Sequence, residues 1–204
     1  RVMSLAGGAG SLMYAKRISI AKARLLSLAV QDGAVFAGAD SKISKWSIEA
    51  GVCEGSMQLE KPPRGHTLIW SLVSLEDKML ASGDSLGLVQ IWDTVACVLL
   101  HRFAQHQADV LALAASSDGR TLLSGSVDAK ISEFGRQKGS QERWVFRDAM
   151  LCHSHDVRAI VIDDTKKGRN TQISAGAAGR LFVFKPLESG HDKAARPFQC
   201  SNFS

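Results

Sequence analysis

Six histidines, four cysteines and a few tight Asp, Lys and Gly groupings are the residues of this chain that could do chemistry. His101 with His106, and His153 with His155, could begin a metal site. Zinc needs three or four converging ligands, and Cys53, Cys97, Cys152 and Cys200 are scattered with no C-x-x-C pair. That scatter gives no disulfide framework and points to a reducing compartment. Gly8-x-Gly10, after a strand-like Arg1-Val2-Met3-Ser4-Leu5-Ala6 and before a helix-compatible run, has the outline of a phosphate cradle. The third glycine and any Gly-Lys-Ser/Thr are missing, and hairpins follow in place of βαβ units. Asp163-Asp164 beside Lys166-Lys167 reads as a solvated loop tip. Ser, His and Asp all occur, but no nucleophile elbow or metal motif frames them. The reading assigns no catalytic, cofactor or metal site and expects a protein that is not an enzyme.

Position in a repeat accounts for the histidines better than chemistry does. His66, His106 and His153 each stand four residues before a strand-like residue, Trp70, Val110 and Val157. Each is followed by a small-residue segment: Ala81-Ser82-Gly83-Asp84, Leu123-Ser124-Gly125-Ser126 and Ile173-Ser174-Ala175-Gly176. Each unit then closes on an aromatic, Trp92, Phe134 or Phe184, and Trp46 closes an earlier unit after Ala37-Gly38-Ala39-Asp40. The aromatics fall 46, 42 and 50 residues apart. A period near 40–50 with an Ile91-Trp92-Asp93 ending is the mark of β-propeller blades.

Four such blades use nearly all of the 204 residues. The chain is therefore expected to be all-β, about four divergent blades of a larger propeller, and part of a longer protein, since it opens on Arg1-Val2. Blades are placed at residues 21–59, 60–103, 104–147 and 148–187. Residues 1–20 read as the end of a preceding blade or a loop, and 188–204 as a linker or the start of the next segment. Asp32-Gly33 and Ser117-Asp118-Gly119 are hairpin turns, because Asp and Gly tolerate positive φ. Leu25–Val30 by number, then Ala34-Val35-Phe36-Ala37, then the alternating Ile43–Ile48 run give three strands of the first blade. No apolar run reaches transmembrane length.

Charge is uneven. Residues 1–128 hold 12 Lys/Arg and 12 Asp/Glu, whereas 129–204 hold 13 and 8, which is the whole net charge of +5. A basic second half attracts polyanions or acidic partners. Arg136, Lys138, Arg143, Lys166, Lys167 and Arg169, all placed in loops, are the candidate contacts to RNA or to an acidic partner. Aromatic residues are sparse, so base stacking is not an obvious mode.

These repeats resemble the WD-repeat family. In that family a His between blades bonds a Ser/Thr on the second strand, a Trp on the third and an Asp in the turn between them, which satisfies buried polar groups. The resemblance assigns His66, Ser82 and Trp92 to the second blade, with Leu86 in the Asp slot. It assigns His106, Ser124 and Asp128 to the third, with Phe134 for Trp. The fourth has His153 and Ser174, with Ala178 for Asp and Phe184 for Trp. The first keeps Asp40 and Trp46 only. No blade is complete.

Ile69 to Leu187 goes further and resembles the cirhin-type WD-repeat subunits of the small-subunit processome. The resembling segments are Ile69-Trp70-Ser71-Leu72, Val89-Gln90-Ile91-Trp92-Asp93, Trp144-Val145-Phe146-Arg147, His153-Ser154-His155-Asp156-Val157-Arg158-Ala159 and Leu181-Phe182-Val183-Phe184-Lys185-Pro186-Leu187. What the resemblance implies is a nucleolar, non-catalytic scaffold in ribosome biogenesis and rRNA processing. Its partners would be other WD-repeat and helical processome subunits and the 5′ leader of the pre-ribosomal RNA, with no membrane and no small-molecule substrate. The alternative is a WD-repeat adaptor outside ribosome assembly, such as a ubiquitin-ligase substrate receptor or a chromatin scaffold.

Overall fold

A computed structural model describes residues 2–5, 12–18, 24–60, 66–137, 143–164, 171–186 and 198–202. No helix occurs among them. Strands β1 (Val2–Leu5) and β2 (Leu12–Lys16) form a two-stranded antiparallel sheet. Residues 12–16 are thus strand, not the helix that the glycine loop suggested.

Four antiparallel four-stranded meanders follow, one per blade. The first holds β3 (Leu25–Gln31), β4 (Ala34–Ala39), β5 (Lys42–Ser47) and β6 (Cys53–Gln58). The second holds β7 (Ile69–Leu75), β8 (Met79–Asp84), β9 (Val89–Asp93) and β10 (Val98–Phe103). The third holds β11 (Val110–Ala115), β12 (Thr121–Ser126), β13 (Lys130–Gln137) and β14 (Arg143–Leu151). The fourth holds β15 (Val157–Asp163), β16 (Thr171–Gly176), β17 (Leu181–Pro186) and β18 (Phe198–Asn202). Strand β18 lies within 188–204, the stretch read as a linker or the start of the next segment; Phe182 to Pro186 pair with it in register. Its composition carries one aromatic and no turn signal, so the pattern alone did not separate it from a loop.

The first strands of successive blades, β3, β7, β11 and β15, lie side by side, which makes the sheets radiate from a common inner edge. Three apolar clusters fill the junctions. Phe36, Ile43, Met57, Leu80 and Trp92 belong to the first, Ile91, Val110, Leu122, Phe134 and Trp144 to the second, and Leu123, Ile131, Val157, Phe182 and Phe184 to the third. The middle strands are almost wholly buried, which is why β8 and β12 read as unbroken small and apolar runs.

One contact repeats at each junction and explains the small-residue segments. A β-branched residue at the head of one inner strand fills the space over a glycine of the preceding blade. A Cβ on Gly38 would lie 2.9 Å from Ile69 Cγ2, and on Gly83 or Gly125 only 2.6 Å from Cγ1 of Val110 or Val157. Serine hydroxyls bridge two of these junctions: Ser27 Oγ donates to the Ile69 carbonyl (3.0 Å) and Ser71 Oγ to that of Val110 (3.2 Å). Ala112 holds the corresponding place in β11.

Hairpin tips add polar ties at the opposite end of the blades. Gln31 Nε2 donates to the Leu75 and Met79 carbonyls, while its Oε1 accepts from Thr94 Oγ1. Asp77 pairs with Arg136, and Asp164 accepts the Ser117 N–H at 2.6 Å. The Asp32-Gly33 turn has φ of 48° and 75°, the left-handed pair that a two-residue hairpin requires.

Candidate functional site

Blade 3 holds the most complete polar network. His106, which lies between blades, is buried; its Nε2 meets Ser124 Oγ at 2.7 Å and its Nδ1 faces the Asp128 carboxylate at 3.1–3.2 Å. Asp128 also accepts the backbone N–H of Gln107 and Lys130, so it clamps its own turn to the preceding loop. Burial pushes the His106 imidazole below its ordinary value, with Asp128 opposing. Burial would raise Asp128, but the two N–H donors and His106 outweigh it and hold the carboxyl down. The pair is a structural brace: both groups are spent on scaffold bonds.

Blade 4 keeps half of this arrangement. His153 Nε2 meets Ser174 Oγ at 2.8 Å, and the ring packs edge-on against Phe182. Its Nδ1 is buried without a partner, because Ala178 stands where blade 3 has Asp128. Burial lowers the His153 pKa.

Blade 2 departs differently. Trp92 Nε1 donates to Ser82 Oγ at 2.9 Å. His66 is exposed and makes no hydrogen bond among the described residues, so it stands outside that blade's network. The turn is organised instead by Asp84, two positions before Leu86. Its buried Oδ1 accepts the N–H of Leu86 and Leu88, and burial raises its pKa against those bonds. Asp84 escaped sequence reasoning because attention fell on the slot at Leu86; the sequence did offer an acid directly after Ser82-Gly83.

In blade 1, Asp40 reaches out to Arg24 (3.2 Å) and takes φ 47° in its turn. Trp46 Nε1 is buried and unpartnered, since Ala37 replaces the serine that Ser82 supplies in blade 2. Asp40 and Trp46 therefore do not meet in a network.

The six basic candidates separate. Arg136 is mostly covered, at 16% side-chain exposure, and is ion-paired with Asp77 of blade 2. Arg143 opens β14 and is exposed beside His101. Lys138, Lys166, Lys167 and Arg169 lie outside the described residues. Sequence reasoning also missed the Trp70 indole donating to Asp109 (2.9 Å) and the Arg147–Glu133 pair (2.9 Å), which no motif signals.

Two clefts remain. One of about 460 Å³ sits between the hairpin tips of blades 1 and 2, over Phe36, Lys45, Glu54 and Thr94. The other, about 410 Å³, lies at the heads of the inner strands among Trp70, Asp109, Leu111, Val127, Asp156 and Arg158. Lys45 pairs with Glu54 (3.4 Å) and Arg158 with Asp156 (2.7 Å), and the Trp70 indole donates to Asp109, so these charges are engaged within the clefts. Among the described residues no three His, Cys, Asp or Glu side chains could hold a metal ion.

With the geometry described, the chain can be set against known proteins. The family described as WD domain, G-beta repeat matches residues 97–132, which is β10 through the start of β13. The "U3 small nucleolar RNA-associated protein 4" of Saccharomyces cerevisiae is 32% identical over 193 residues, covering 89% of this chain and 25% of that protein. Its namesake in Schizosaccharomyces pombe is 31% identical over 187 residues, covering 89% and 26%. The chain thus spans about a quarter of the length of these curated relatives. Among solved structures, one titled "Structure of U3-55K" superposes with a TM-score of 0.68 at 27% identity, covering 82% of this chain and 50% of that one.

Proposed function

From the premise that this chain is a WD-repeat protein of the cirhin-type group, we propose that it serves as a non-catalytic scaffold of the nucleolar small-subunit processome. The observation that carries this is similarity to two U3 small nucleolar RNA-associated proteins along nearly the whole chain, not within one repeat. The site geometry supports it. The buried His, Ser and Asp groups are consumed in holding blades together, and what the surface offers is area, edges and charge.

In this reading the chain binds partner proteins and the 5′ leader of pre-ribosomal RNA during rRNA processing. Lys138, Lys166, Lys167 and Arg169 supply phosphate contacts, which fix position without reading sequence. Arg136 is engaged by Asp77 and contributes to the fold.

The test is a titration of leader RNA against the full-length protein at several salt concentrations. Binding should weaken steeply between about 50 and 200 mM salt, and replacing those four cations by Ala should flatten the slope by roughly one unit per lost contact. Binding that ignores both salt and the substitutions would sink the RNA part of the proposal.

A further inference from the structure

The outer wall between blades 2 and 3 carries a feature that the scaffold network does not use. Strand β10 ends its sheet, with β9 as its only strand partner among the described residues, so one row of its backbone groups faces outward. Three successive aliphatic residues on it are open to solvent: Val98 at 49%, Leu99 at 43% and Leu100 at 44%. Of the other outer strands with described side chains, β6 sets Glu54 and Gln58 at solvent positions, and β14 exposes Phe146 and Leu151 but intersperses Arg143 and Arg147, so neither carries three exposed aliphatic residues in a row. Exposed edge strands are normally protected by charge. Here the register shift between Leu99 and His101 bends the strand but leaves the aliphatic run uncovered.

The surroundings of this edge are basic and aromatic. His101 stacks on Phe103, which packs on Phe134 of blade 3, which meets Phe146 of β14. Arg143 stands close enough to His101 to help push its pKa down, after burial. Arg102 is tied to Glu60 and Arg147 to Glu133, whereas Arg143 has no ion pair among the described residues.

We propose that β10 is a docking edge for an extended, acidic and leucine-bearing segment of another protein, which pairs with its open backbone, covers Val98, Leu99 and Leu100, and sets carboxylates against Arg143. Backbone pairing supplies affinity and alternate side chains supply selection. Aliphatic exposure favours a polypeptide over RNA, because a nucleic-acid backbone gains nothing from three aliphatic side chains. The inference rests on the scaffold reading only in that partners include proteins.

The test uses the full chain and two labelled decapeptides, one alternating Leu and Glu, the other Leu and Lys. The Leu–Glu peptide should bind and the Leu–Lys peptide should not. Leu100→Glu should abolish binding, and Arg143→Glu should weaken the Leu–Glu peptide about tenfold and admit the Leu–Lys peptide. Leu100→Thr, which keeps strand propensity, serves if the glutamate variant loses its circular dichroism. Equal binding of both peptides, indifference to the variants, displacement by an oligouridylate through Arg143, or self-association lost in Leu100→Glu would each overturn the proposal. None of these readings involves leader RNA, so failure here is separable from failure of the processome reading.

Discussion

Ala129 and Ala178 are the two residues where small changes would be most telling. Ala129 follows Asp128 with φ 66°, a left-handed backbone that a Cβ resists, and the matching residue of blade 4 is Gly179 at φ 71°. Ala129→Gly should therefore raise stability by about 1 kcal/mol, read as a shift in the denaturant midpoint. Ala178→Asp should raise it by a similar amount, about 1 kcal/mol, by giving the orphan Nδ1 of His153 the acceptor that His106 already has. Ser124→Ala should do the reverse and cost roughly 1–3 kcal/mol, because a buried imidazole nitrogen is left unpaired. The histidines also set a pH response. Burial holds His106 and His153 below the ordinary 6.5. As pH falls through that value the unfolded chain takes up protons that the folded chain refuses, so stability drops. Melting temperature should fall between pH 7 and pH 5, and His153→Gln should flatten the decline. Repeat spacing singles out His106 and Ser124, and Asp128 enters only through the resemblance to the WD-repeat family. The failure of His66 was not legible, since it depends on the turn that Asp84 organises two residues away from the expected slot.

At the level of strands, the glycines of the small-residue segments decide how closely blades approach. Gly125→Val would set a branched side chain where Val157 Cγ1 lies 2.6 Å from an ideal Cβ, and should destabilise by about 1–3 kcal/mol. Gly33→Ala, which meets nothing within 4 Å but carries φ 75°, should cost less, about 1 kcal/mol, through backbone alone. A thermal melt of both variants checks that order. Strands β3, β4 and β5 could be read from alternation and turn residues, because a half-buried strand writes its faces into the sequence. Strand β18 could not, since it is short and eleven residues separate it from the end of β17, too far for a tight hairpin to signal the pairing. The ties between hairpin tips, such as Asp77–Arg136, were hidden for a related reason: they join residues of different blades, and the repeat period describes each blade alone.

For the molecule as a whole, four radiating sheets give stiffness, and each junction is built from the same few parts. The basic excess of residues 129–204 suits phosphate, and the aliphatic edge of β10 suits polypeptide. A scaffold that joins RNA to protein has use for both. The most direct measurement is affinity purification of the full-length protein from nuclear extract, with and without RNase, reading proteins and RNA together. Pre-ribosomal leader RNA with other processome subunits, and retention of some of those subunits after RNase, is the predicted result. Recovery of a ubiquitin-ligase or chromatin complex without that RNA would contradict the account and leave only the propeller.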